Sequence, residues 1–136
     1  MHQGGTYVVM EGPAFSTRAE SRLYRSWGAD IIGMTALPEA KLAREAEICY
    51  AIVGCVTDYD SWWAPGKPVT VDVILDILHK NADTAKSIIK LAVSRIPGKR
   101  DCGCATALAT AVVTAREMIP PEQKEKLKLL IGKYIK

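Results

Sequence analysis

No apolar run in these 136 residues approaches the ~20 needed to cross a bilayer. The opening Met1-His2-Gln3-Gly4-Gly5 has no basic stretch leading into an apolar one. Neither a membrane span nor a secretory leader is expected, and the expected location is cytoplasmic. Histidine is scarce: His2 and His79 are the two present, and neither has a sequence tie to a cysteine that would make a thiol and imidazole pair for nucleophilic catalysis. Aromatic residues make up only 7%, and 18 basic against 15 acidic side chains leave a formal charge of +3. Nucleic-acid binders show a denser basic face with exposed aromatics, so that class is set aside. The excess charge sits mainly in the tail, at Lys124, Lys126, Lys128, Lys133 and Lys136, and reads as a solvated helix face. There is no internal repeat and no low-complexity linker.

What remains is a chain with 49% hydrophobic content, enough for one compact domain over residues 1–136. Thr6-Tyr7-Val8-Val9-Met10 is rich in β-branched and aromatic residues and stops at the turn signal Glu11-Gly12-Pro13, which predicts a strand feeding a loop. Thr17-Arg18-Ala19-Glu20 fits a capping box and opens a helix running to about Trp27, with Gly28 to end it. Asp30 to Met34 is a short apolar strand of the kind buried on both faces of a parallel sheet. Pro38 and Glu39 suit the first turn of the next helix. Ile48 to Val56 predicts a third buried strand, capped by Thr57-Asp58-Tyr59-Asp60.

From Val71 to Ile96 apolar residues recur three or four apart, the period of one long helix or a bent pair. Residues 98–103 read as a connecting loop, Ala105 to Ala115 as an Ala-rich helix, and Pro120-Pro121 as the start of a final amphipathic helix. Strands alternating with helices predict an α/β fold with a mostly parallel or mixed sheet and flanking helices. Three buried strands need cover on both faces and protected edges, more than these helices can supply, so the chain is expected to be incomplete or to depend on a partner.

In open α/β sheets ligands collect beyond the C-terminal ends of the strands. The residues there fall into three clusters, Glu11 to Thr17, Met34 to Glu39, and Thr57 to Asp60, each combining apolar or aromatic surface with hydroxyls or carboxylates, as a heterocycle joined to a sugar requires. The run Glu11-Gly12-Pro13-Ala14-Phe15-Ser16-Thr17-Arg18-Ala19-Glu20-Ser21, then Trp27-Gly28-Ala29-Asp30, Gly33-Met34-Thr35, Pro38-Glu39 and Thr57-Asp58-Tyr59-Asp60, resembles in order and spacing the trimeric nucleoside phosphorylases. The two aspartates resemble the methylthioadenosine branch in particular. The match spans roughly residues 4–115 and corresponds to the C-terminal half of a subunit.

The resemblance implies a partial nucleoside phosphorylase fold and a pentosyltransferase that splits 5'-methylthioadenosine with inorganic phosphate as co-substrate, without metal or organic cofactor, in a homo-oligomer. By the same resemblance Phe15 would stack on the purine, Met34 would lie under the ribose, Thr35 would bind phosphate, and Ser16 and Thr57 would line the base site. Asp58 and Asp60 would face the amino edge of adenine, because an ionised carboxylate accepts hydrogen bonds and cannot donate them. Asp58 would also be the acid that neutralises the departing base at N7, with its pKa raised by burial and by its neighbour. Val71, Ile74 and Leu75 match the walls of the pocket for the 5'-methylthio group. Read without the family, two aspartates in a turn after a strand are a helix cap or surface loop, and the three aliphatic residues are the first turn of an amphipathic helix.

The family's upstream half, with its Gly-rich phosphate loop, arginine and histidine pair and second threonine, has no match in this chain. Pairing with that missing N-terminal half is therefore expected, with a non-catalytic purine-binding or self-associating fragment as the alternative. Ala14 and Trp63 stand where relatives generally carry polar residues. Cys49, Cys55 and the Cys102-Gly103-Cys104 motif resemble thermophilic archaeal members that carry intrachain disulfides. A four-cysteine zinc site is the rival reading, but one-residue and five-residue spacings fit ordinary zinc knuckles poorly.

Overall fold

The computed structural model describes residues 2–63 and 70–135, and the element order is α/β. Strand β1 (Tyr7–Val9) pairs in parallel with β2 (Ile31–Gly33), Tyr7 opposite Ile31 and Val9 opposite Gly33. Between them runs helix α1 (Arg18–Ser26). Its capping box is complete: the Glu20 amide donates to Thr17 Oγ1 at 3.2 Å, and the Thr17 amide donates to Glu20 Oε2 at 2.6 Å. Gly28 ends the helix at φ +79, a left-handed conformation natural to glycine. Asp30 starts β2 and pins the strand entry, because its carboxylate accepts from the Thr6 amide at 2.7 Å while its own amide donates to the Thr6 carbonyl.

The chain divides into two compact units. Unit 1 comprises residues 1–36 and 52–97, and unit 2 comprises 37–51 and 98–136. Unit 1 holds β1, α1, β2 and the long helix α3 (Val71–Val93), which runs as one helix rather than a bent pair. Ile74, Ile77, Asn81, Ala85 and Ile88 form its half-covered stripe, and Asn81 Nδ2 reaches the Val56 carbonyl at 3.2 Å, fastening α3 to the segment that precedes Thr57. Unit 2 holds α2 (Ala36–Glu45) from its second residue, the short helices α4 (Pro121–Lys126) and α5 (Lys128–Ile131), and the turns before them.

Four expectations need correction. Ile48 to Val56 is not a strand among the described residues: it makes no ladder, and Ile48, Ile52, Val53 and Val56 are all exposed. An apolar run specifies a buried strand only where neighbouring strands accept its hydrogen bonds, and the described sheet has two strands, β1 and β2. Those two are themselves half-buried rather than covered on both faces.

Ala105 to Ala115 is not an α-helix. A 3-10 turn over Gly103–Thr106 gives way to successive turns in which Ala107, Ala109 and Ala111 donate to carbonyls three residues back. Among these turns the Leu108 amide donates instead to the Glu47 carboxylate at 3.1 Å. The final helix is likewise interrupted at Leu127, which caps α4 and begins α5.

The accessible surface is 11349 Å². Among large side chains of the described residues Leu129, Val113 and Phe15 are each more than four-fifths exposed, whereas Ala36 and Ile135 are the buried hydrophobics.

Candidate functional site

All the candidate substrate residues lie in unit 1. The loop after β1 passes through a cis Gly12–Pro13 bond and Phe15, whose ring is open to solvent, before turning inward at Ser16, which is buried. Ser16 Oγ donates to Asp60 across 44 residues, at 2.9 Å to Oδ1 and 3.2 Å to Oδ2. Ser61 closes the junction from both sides, its amide donating to Asp60 Oδ1 at 2.8 Å and its hydroxyl to the Ser16 carbonyl at 3.3 Å. Arg18 Nε, in the first turn of α1, adds a bond to the Ser61 carbonyl at 3.3 Å. Two of the three clusters named from sequence are thus tied into one loop platform.

Asp60 is half-buried at the centre of that platform. Burial works against its charge, but the Ser21 hydroxyl, the Ser61 amide and the Ser16 and Ser61 hydroxyls outweigh it and hold the carboxyl below the usual range. Ser21 is the most deeply buried side chain of the described residues, and its Oγ has no partner in hydrogen-bonding geometry. It acts on Asp60 as a nearby dipole rather than through a formed bond. Asp58 is exposed and accepts from its neighbour Thr57 Oγ1 at 2.6 Å, so the burial expected around it is not supplied by the described residues.

Met34 follows β2 and is half-buried, with its thioether against Gly12: a Cβ at position 12 would stand 2.9 Å from the sulfur. Glycine at that position lets the first loop approach the second. Thr35 is exposed beside it. Val71 and Leu75 are exposed on the first turns of α3, and Ile74 is half-covered. Contacts therefore join Ser16 with Asp60, Thr57 with Asp58, and Met34 with the loop that bears Phe15.

Several residues at this platform are not legible as site residues in sequence. Ser61 follows Asp60 directly, and the tendency of an aspartate to accept from a nearby backbone amide was the available signal. Ser21 directly follows the capping box, within the run that resembles the family, but nothing in the sequence marks it as a partner of Asp60. Beside the platform Tyr59 stacks on Trp63 at 4.8 Å, Trp62 meets Trp63 edge-on at 5.1 Å, and the Arg25 guanidinium lies 3.5 Å from the Trp62 ring centre.

The four cysteines are free thiols. Three of them meet in unit 2, where Cys49 Sγ lies 3.4 Å from Cys102 Sγ and Cys104 completes the group. Cys55 is in unit 1.

Residues 1–94 match the Phosphorylase superfamily. The S-methyl-5'-thioadenosine phosphorylase of Koribacter versatilis (strain Ellin345) is 60% identical over 131 residues, which cover 96% of this chain and 45% of that protein. A methylthioadenosine phosphorylase from an antarctic soil metagenomic library has the same fold over 93% of this chain and 44% of its own, with a TM-score of 0.84 and 50% identity. A mutant adenosine/methylthioadenosine phosphorylase from Schistosoma mansoni, in complex with methylthioadenosine, matches at a TM-score of 0.63 and 39% identity, over 76% of this chain and 35% of its own. The chain spans less than half the length of each of these relatives. Relatives of this kind are mostly bacterial, so the thermophilic archaeal branch suggested by the cysteine pattern is not supported. With the matched residues running from β1 through both site loops to the end of α3, the chain belongs to the Phosphorylase superfamily, and within it is similar to the methylthioadenosine phosphorylases.

Proposed function

We propose that this chain supplies the purine and ribose side of a methylthioadenosine phosphorylase, a pentosyltransferase whose phosphate side comes from the remainder of the enzyme. The observation that carries this reading is the Ser16–Asp60–Ser61 junction, which unites the two loops expected to flank the base and keeps one carboxylate ionised. An acceptor-only group in that position favours the amino edge of adenine over the carbonyl of hypoxanthine. The two donors, the Ser16 hydroxyl and the Ser61 amide, leave Asp60 with acceptor capacity for a ligand.

In the complete site phosphate attacks the anomeric carbon, the bond from that carbon to N9 breaks, and the purine leaves as an anion. Asp58 donates a proton at N7, giving neutral adenine and 5-methylthioribose 1-phosphate. Phe15 covers the purine face, Ser16 and Thr57 line the base site, Met34 lies under the ribose, and Thr35 contacts phosphate. Val71, Ile74 and Leu75 form the apolar wall for the methylthio group. Positioning and charge stabilisation carry the rate, with phosphate as co-substrate and no organic cofactor or metal in the reaction. The exposed apolar surface is the face covered by the complementary half and by neighbouring subunits of a trimer, and the assembly is cytoplasmic.

The test is turnover. Incubated alone with methylthioadenosine and phosphate, the chain is expected to release no adenine; mixed with the complementary N-terminal half of a relative, it is expected to do so. Failure of the mixture, with both halves folded and associated, would overturn the proposal.

A further inference from the structure

The described residues contain a group of three sulfurs that phosphorolysis does not use. Cys49, Cys102 and Cys104 place their Sγ atoms within 4.8 Å of one another, with Cys49 and Cys102 closest at 3.4 Å. Three thiolates on one tetrahedral zinc ion, with Zn–S near 2.3 Å, stand about 3.8 Å apart, inside this range. The sulfurs need only small side-chain rotations to share a cation.

The group is held from both sides by its flanking backbone. Arg100, two residues before Cys102, donates to the Glu47 carbonyl at 2.8 Å, and Leu108, four residues after Cys104, donates its amide to the Glu47 carboxylate at 3.1 Å. Glu47 is itself two residues before Cys49. Residues 102 and 104 are thereby kept opposite residue 49, although 53 residues separate Cys49 from Cys102. The local spacing of zinc knuckles could not reveal this set, because one ligand comes from the segment that follows α2 and the other two from a distant turn.

We propose that Cys49, Cys102 and Cys104 form a binding site for a thiophilic divalent cation, with zinc as its chemical type, fastening residues 98–104 to the segment that follows α2. Binding releases the thiol protons and changes no oxidation state. Among the described residues no fourth His, Cys, Asp or Glu joins the group, so water or an external ligand takes the remaining position. Cys49 and Cys102 are exposed and Cys104 half-buried, which gives the ion a path in.

The thiol ionisations agree with the geometry. The Cys104 amide, then the Cys49 and Cys104 thiols, hold the Cys102 thiol below its ordinary value, whereas the Cys104 thiol is pushed up chiefly by its bond to Cys102 and next by Cys49. Arg100 brings positive charge to the same stretch, and Lys133, paired with Glu47, bonds the Ala105 carbonyl at 2.7 Å.

The proposal is independent of the phosphorolysis reading. The reduced, metal-free full chain, handled without air, would be titrated with Zn²⁺ against a chromophoric chelator, and with Co²⁺ to look for thiolate-to-metal charge transfer. A single equivalent is expected to bind. Cys49→Ser, Cys102→Ser and Cys104→Ser are each expected to weaken binding by about tenfold or more, and Cys55→Ser to leave it unchanged. Bound zinc is also expected to shield three thiols of the unsubstituted chain from alkylation while Cys55 reacts, which tests the site without any substitution. Absence of binding, equal weakening by Cys55→Ser, or a Cys49–Cys102 disulfide in chain prepared throughout without air would overturn the proposal, the last assigning the group to redox pairing.

Discussion

The two units are each organised around a carboxylate, and the two carboxylates are satisfied in different ways. Asp60 in unit 1 is held by neutral donors, the Ser16 hydroxyl and the Ser61 amide. Glu47 in unit 2 is held by a cation and a phenol: Lys133 pairs with Oε2, Tyr134 donates to Oε1 at 2.5 Å, and the Leu108 amide donates to Oε1 as well. Neutral donors leave an acidic oxygen able to accept from a ligand, whereas an ammonium and a phenol spend the carboxylate on the fold. The first arrangement suits a site and the second a clamp.

Glu47 carries a further cost. The amides of Glu47 and Ile48 donate to the carbonyls of Arg44 and Ala43, the two bonds of a Schellman cap, which puts Glu47 at the position usually given to glycine, with φ +55. A side chain in the left-handed region is strained. The structure keeps it because that carboxylate joins α2 to Leu108 and to the C-terminal segment, where Ile135 is buried.

The largest effect that would sharpen this comparison is expected from Glu47→Ala. It removes the clamp and keeps the backbone strain, so amides of unit 2 such as Leu108 should lose about tenfold or more of their hydrogen-exchange protection. Glu47→Gly relieves the strain and should recover part of that loss. Because Trp27, Trp62 and Trp63 all belong to unit 1, tryptophan emission should be unchanged in both variants. Equal losses in the two variants would show that the left-handed backbone contributes nothing.

Acidification should break the same contrast more gradually. Burial opposes the Glu47 charge, but Lys133 foremost, then Tyr134 and the Leu108 amide, pull its pKa down to about 2 from an ordinary 4.5. A depressed carboxylate stabilises the fold fully above its unfolded value and loses that contribution as pH falls through the folded one. Tyr134 fluorescence and Leu108 exchange should therefore change mainly between about pH 4.5 and 2 in the natural chain. Glu47→Gln should abolish this component, and its persistence there would move its origin to another group.

The smallest effect is expected at the edge of unit 1. Arg25→Ala removes the guanidinium from the Trp62 ring and should shift tryptophan emission, with a loss of unit 1 stability of about 0.5–1 kcal/mol. Unaltered emission would mean that the contact does not persist in solution.

Short-range chemistry was legible in the sequence and long-range partnership was not. The Thr17–Glu20 capping box, the glycine stop at position 28 and both strands follow from residues within a few positions of one another. The missing third strand and the broken Ala-rich helix do not. Ile48 to Val56 is apolar enough for a sheet but carries no statement of what it pairs with, and the partner of the Leu108 amide, Glu47, lies 61 residues earlier in the chain. Of the proposed site, the loops were legible from the family resemblance. The bond that joins them, Ser16 to Asp60, spans 44 residues, and the buried Ser21 behind it has no local signature.

The most direct measurement is the binding of adenine and of hypoxanthine by calorimetry to the chain associated with its complementary half, with Asp60→Asn as the comparison. An ionised acceptor at position 60 predicts tighter binding of adenine and a fall of about 10- to 100-fold in that preference on substitution, the range for a hydrogen bond to a charged group. Equal affinity for the two bases, or a preference that survives Asp60→Asn, would contradict it.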